Sequence, residues 1–217
     1  MTIAFLAAMF AVALFAAGEH AKKDASVTAG KPVAFVATES KIYTVICRGT
    51  GSRENRALAL EIFKGFGIKA VFFTDAGELE SSEEAAREII AAGHVLGLDC
   101  SGTSGMNKSE FLRWLAKQND RFYDATGRRP KYCLAGEEAC RYAFDACLTY
   151  GQYCVSSATD VKNGAETIKR GDIVYCFLDK KDRLYAFAQA AARAASGGLT
   201  PCSMKELLAG YEERVFS

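Results

Sequence analysis

The sequence predicts an α/β fold in which helices flank a parallel sheet. Two observations predict it: strand-like and helix-like runs alternate from Val33 to the C-terminus, and the connections between them are short. A third narrows the class. No Gly-rich phosphate loop follows any strand run, so the nucleotide-binding sheets lose their signature and a closed or partly closed barrel stands beside an open sheet.

Strand runs are read at Val33 to Thr38, Ile42 to Ile46, Ala70 to Thr74, Val95 to Leu98, Tyr132 to Leu134, Tyr153 to Ser156 and Asp172 to Leu178. Between the second and third lies a helix over Arg56 to Gly65 with Leu58, Ile62 and Phe63 inward, ended by Gly65 and Gly67. Ser81 and Glu84 have the spacing of a capping box for a helix running to Ala92, with Ala85, Ile89 and Ile90 on one face. The clearest amphipathic helix begins at Asn107 or Ser109, carries Phe111, Trp114, Leu115, Gln118 and Phe122 on neighbouring turns, and closes at Gly127. Further helices are expected over Ala139 to Tyr150, Leu184 to Ala195 and Ser203 to Tyr211.

The first 24 residues read as a leader, residues 25–31 as a linker and 32–217 as one domain. Ile3 to Ala17 is continuously apolar and gives way to small and polar residues; a signal-peptide core needs about 7–15 such residues, a bilayer-spanning helix about 20. Export is therefore expected. No basic residue precedes the apolar run, which leaves an uncleaved anchor, and so a membrane contact through this segment, as the alternative. Basic and acidic residues balance at 27 against 26, so no electrostatic footprint for nucleic acid exists. The eight cysteines sit among apolar neighbours and read as core positions. Cys133, Cys140, Cys147 and Cys154 recur every seven residues, but no pair has Cys-x-x-Cys spacing, so neither a metal site nor any other cofactor is expected.

In a barrel the working residues sit at the carboxyl ends of the strands, which points to Cys47 and Arg48, Asp99 and Cys100, Leu134 to Glu137, Asp160, and Phe177 to Asp179. Around these ends the sequence resembles the polysaccharide deacetylases of the NodB type, and most of all their spore-associated branch. Five segments carry the likeness: Phe63 to Phe73, Ile90 to Asp99, Ala125 to Tyr132, Gly171 to Val174 and Ser203 to Leu208. Gly93-His94 followed by Gly97 resembles the family's Gly-His-Glu-Ile-Gly-Asn-His, and Thr126-Gly127-Arg128-Arg129-Pro130 its Thr-Gly-Lys-Lys-Pro. The fold this implies is an irregular (β/α) barrel; the implied activity is hydrolysis of acetyl groups from N-acetylated polysaccharide.

The active motifs do not follow. The family's base, an Asp, falls on Cys47, and its metal-binding Asp falls on Arg48. The two metal-binding His fall on Asp99 and Thr103, the later Arg motif near Leu134, and the His ending the last strand on Phe177. Asp160, which matches an acidic position, survives in kind. A metal hydrolase holds its ion with about three protein ligands and leaves a place for water. This chain has two histidines, His20 in the leader and His94, and His94 matches a position expected to serve as a structural hydrogen-bonding group. Arg48 puts a permanent cation where the family's metal would sit, and pairing with Asp99, with Asp160 beside them, is expected.

The expectation is a degenerate, non-catalytic deacetylase-like protein of the cell envelope that binds a cell-wall glycan or an envelope protein. Two alternatives stand beside it. One is an esterase with Cys47 as nucleophile, assisted by Asp99 or His94 and activated by the Arg48 cation. The other is a metal-dependent deacetylase using Asp99, Cys100 and Cys47, against which stands the alternation of side chains along a strand.

Overall fold

The computed structural model describes residues 31–136, 139 and 141–215, with side chains described to residue 209. The leader, His20, nearly all of the linker, Glu137 and Cys140 lie outside the described residues.

Seven parallel strands form the sheet: β1 (Ile42–Arg48), β2 (Val71–Thr74), β3 (Val95–Asp99), β4 (Tyr132–Leu134), β5 (Tyr153–Val155), β6 (Thr159–Val161) and β7 (Ile173–Cys176). Their spatial order is β5-β4-β3-β2-β1-β7-β6, and a two-residue strand, β8 (Thr200–Pro201), pairs with the start of β1. The sheet curls into a partly closed barrel. Helices α1 (Arg53–Phe66), α2 (Ala76–Ser81), α3 (Glu83–Ala91), α4 (Lys108–Thr126), α5 (Ala143–Thr149), α6 (Lys181–Ser196) and α7 (Met204–Val215) supply the connections and the end.

Alternation along the strands sorts the core into two layers. Ile46, Val71, Phe73, Leu134, Val155 and Ile173 face the barrel interior, where Met204, Leu207 and Leu208 of α7 fill out the packing. Tyr43, Val45, Cys47, Phe72, Leu98, Cys133, Val174 and Cys176 face outward and meet Phe63, Leu79, Ile89, Phe111, Leu115 and Phe187 of the helices. Strands buried on both faces must be apolar throughout, which is why Tyr43 to Cys47 reads as an unbroken run. Gly97 makes room inside: a Cβ there would stand 2.5 Å from the Phe73 ring.

The caps are local and explain where the helices start and stop. Ser52 Oγ accepts from the Asn55 amide at 3.2 Å, and Gly67, at φ 70°, returns its N–H to Lys64 and Phe63 carbonyls. Asn107 and Glu110 form a reciprocal capping box at the head of α4, and Gly127 closes it.

Four expectations need correcting. Val33 to Thr38 is not a continuous strand; Val33 bridges β5 in parallel and Phe35 bridges Asp172 antiparallel, so the segment crosses from one strand to another and ladders with neither. Gly171, at φ +82°, admits this crossing, because a Cβ there would collide with the Val36 carbonyl. Ser81 is not a cap: it ends α2, a short helix capped by Asp75, and Ser82 precedes α3 with no side-chain cap bond. The helix expected from Ala139 starts only at Ala143, and β6 was too short and polar to show as a strand run.

Candidate functional site

Parallel strands deliver their last residues to one end of the barrel, and a cleft of about 590 Å³ opens there. Arg48 enters it from the end of β1, Leu134 from β4, Asp160 from β6, and Tyr175 and Phe177 from β7. Ser101, Ser156 and Ser157 add hydroxyls from the loops after β3 and β5.

Arg48 donates from Nε to Asp99 Oδ2 at 2.6 Å. The other carboxylate oxygen of Asp99 accepts from the Ser101 amide at 2.8 Å and from Ser101 Oγ at 2.5 Å. Asp160 Oδ1 accepts from Ser157 Oγ at 2.5 Å. Phe177 lies edge-on to Tyr175, with ring centroids 4.4 Å apart, and carries the Arg183 guanidinium 4.6 Å above its own ring. Burial pushes the Tyr175 phenol well above its ordinary range, so it stays a neutral donor.

The loop that follows Arg48 is fixed from below. Glu78 accepts from the Thr50 amide at 2.6 Å, from Thr50 Oγ1 at 2.9 Å and from Thr74 Oγ1 at 2.7 Å. Arg56, whose side chain is buried, donates to the Gly51 carbonyl at 3.1 Å and to Glu88 at 2.7 Å. This clamp sets the rim on the β1 side of the cleft.

The remaining expected residues lie elsewhere. Cys47 is buried in the outer layer beside Cys176; burial, with Cys176 added, pushes its thiol well above the ordinary value. It cannot reach the cleft as a nucleophile without rotating its strand. Thr103 is buried too, its hydroxyl donating to the Cys100 carbonyl at 2.6 Å. Cys100 faces the outer layer while Asp99 meets Arg48, so Asp99, Cys100 and Cys47 do not converge on one point. His94 lies between layers: its Nδ1 accepts from the Ala70 amide at 3.2 Å, and the rings of Phe72 and Phe63 stand 5.5 and 5.6 Å away. Burial first, and the Lys69 charge second, lower its pKa to about 4.

The sequence reading missed Ser101, Ser156, Ser157, Tyr175 and Glu78. Tyr175 had a signal, since it precedes Phe177 by two residues and therefore shares its face of the strand. Glu78 had none, because its partners are brought to it by β1 and β2.

No family model matches the chain, and no curated protein matches it in sequence. Solved structures do match in fold. A CE4 family pseudoenzyme from Bacillus anthracis superposes with a TM-score of 0.72 at 16% identity, over 83% of this chain and 69% of its own. A family 4 carbohydrate esterase from Bacillus anthracis gives 0.71 at 16% identity, over 82% and 87%. A peptidoglycan N-acetylglucosamine deacetylase gives 0.67 at 13%, over 81% and 91%. The fold is that of the CE4 polysaccharide deacetylases, as the resemblance implied.

That fold implies a divalent metal in the cleft, and the residues here do not suit one. Arg48 already holds the Asp99 carboxylate, Phe177 offers no donor atom, Thr103 is buried with its hydroxyl on a carbonyl, and His94 is committed to Ala70. Among the described residues the cleft presents a single exposed carboxylate, Asp160, where an ion needs about three ligands.

Proposed function

We propose that this chain is a catalytically degenerate deacetylase-like protein of the cell envelope, and that it binds an N-acetylated cell-wall glycan in the strand-end cleft without hydrolysing it. The Arg48–Asp99 ion pair carries the reading: a guanidinium occupies a place where the fold's chemistry calls for a cation bound between carboxylate and imidazole ligands. What remains in the cleft suits sugar recognition. The rings of Tyr175 and Phe177 offer apolar surface for a pyranose face, while Arg48, Asp160 and three serines offer donors and acceptors for hydroxyl and acetamido groups. The likeness to peptidoglycan-acting structures directs the choice of glycan and the envelope location. Among the described residues no helix is long and apolar enough to cross a membrane.

The test is to titrate the full chain with N-acetylglucosamine oligomers and peptidoglycan fragments by calorimetry, and to measure acetate release with and without zinc, cobalt or manganese. Saturable binding, weakened about tenfold or more by Phe177→Ala, with no acetate released, is the expected result. Metal-dependent acetate release would overturn the proposal.

A further inference from the structure

Free cysteine packs as a small hydrophobe, and Leu, Ile, Phe and Ala fill most of the outer layer in that manner. Four of its cysteines are arranged differently. Cys100 follows the last residue of β3, Cys133 lies in β4, Cys154 in β5 and Cys147 on α5. Cys133 and Cys154 are register partners on adjacent strands, so both point the same way, toward α5. The sulfurs of Cys100, Cys133 and Cys147 all lie within 4.8 Å of one another, and the Cys154 thiol also contacts Cys147.

From this convergence the structure assigns a second site, a structural zinc centre held by Cys100, Cys133 and Cys147, with Cys154 as the fourth sulfur. For the first three sulfurs the geometry agrees with the ion, and Cys154, outside that mutual group, is placed by its contact with Cys147. Zinc–sulfur bonds of about 2.3 Å in a tetrahedron hold sulfurs about 3.8 Å apart, and the three thiols already stand within the 4.8 Å limit. The donor chemistry agrees as well, since four soft sulfurs with no carboxylate or imidazole among them select zinc over magnesium or calcium. Each of the four is almost fully buried, which fits a closed structural shell with no position left for water or substrate. On binding, each ligating S–H bond breaks, its proton leaves to solvent, and a Zn–S bond forms in its place.

Placement gives the centre a purpose. β4 and β5 are three residues long and α5 seven, too short to hold their positions by ladder bonds and helix turns alone. Both strands, and β3 beside them, end next to the cleft: Leu134 follows Cys133, Ser156 comes two residues after Cys154, and Asp99, held by Arg48, immediately precedes Cys100. The ion would join the short strands and their helix into one rigid wall of the cleft.

The experiment loads the reduced full chain with zinc or with cobalt alone. The expected result is one tightly held zinc per chain by elemental analysis, and, with cobalt, the sulfur-to-metal charge-transfer and intense visible bands of a tetrahedral thiolate site. Cys147→Ser and Cys133→Ser should lose both signals, and Cys202→Ser, in the distant β8 region, should keep them. The unsubstituted chain supplies a readout that does not depend on any variant folding: zinc should protect the four thiols from alkylation and raise Tm by several degrees. A reduced chain that takes up no stoichiometric metal, shows no sulfur-to-cobalt band, or yields disulfides among these four cysteines by mass spectrometry overturns the assignment.

Discussion

Arg48 reaches across the end of β2 to donate to Asp99 at 2.6 Å, tying together β1 and β3, which are not neighbours in the sheet. The partners are not equivalent, for the Arg48 side chain is 45% exposed and that of Asp99 12%. An ion pair with one end in water is worth up to about 1 kcal/mol. Asp99 has a second task, since its other oxygen takes both polar groups of Ser101. Arg48→Met is therefore expected to lower the unfolding free energy by less than about 1 kcal/mol, and Asp99→Ala by about 2 kcal/mol. Urea unfolding of the two variants checks the order. Equal costs would mean that the Ser101 turn contributes nothing.

His94 makes stability depend on pH in a known direction. Its folded pKa of about 4 lies below the ordinary value of 6.5. Between these limits the unfolded chain takes up a proton that the folded chain refuses. The contribution is thus fully present above the unfolded pKa and is lost as the pH falls toward 4, on the order of 2 to 3 kcal/mol in all. Chemical unfolding at a series of pH values, beside His94→Gln as reference, should show this loss in the parent and not in the variant. A parallel decline in both would place the pH dependence on other groups.

Thr44 sits fully buried in β1 with no hydrogen-bond partner for its hydroxyl among the described residues. Removing an unsatisfied buried hydroxyl while keeping the branched shape is favourable by about 1 kcal/mol. Thr44→Val is expected to raise the urea midpoint at unchanged slope. A lower midpoint would show that the hydroxyl finds a bridging water.

Much of the fold was legible because its signals are local. The apolar run around Tyr43 to Cys47, the glycine closing α1 and the helix start at Asn107 each act within a few residues. The Arg48–Asp99 contact was also legible, since two opposite charges at the ends of close strands seek each other in a cleft. The thiol cluster was not. Spacing rules see ligands that share a knuckle, and these sulfurs come from three strands or strand ends and a helix. Val33 to Thr38 misled for a related reason: its composition suits a strand, but which strands it meets is decided by the curl of the sheet.

That crossing segment protects the molecule from its own kind. A row of unpaired amides along an outermost strand is a template on which another chain can add itself. The Val33 amide donates to the Cys154 carbonyl and its carbonyl accepts from the Ser156 amide, both at 2.9 Å, which occupies the free border of β5. Any trimming of the N-terminus has to stop short of Val33. A cut a few residues further in would uncover that border and turn a self-contained barrel into one inclined to stack.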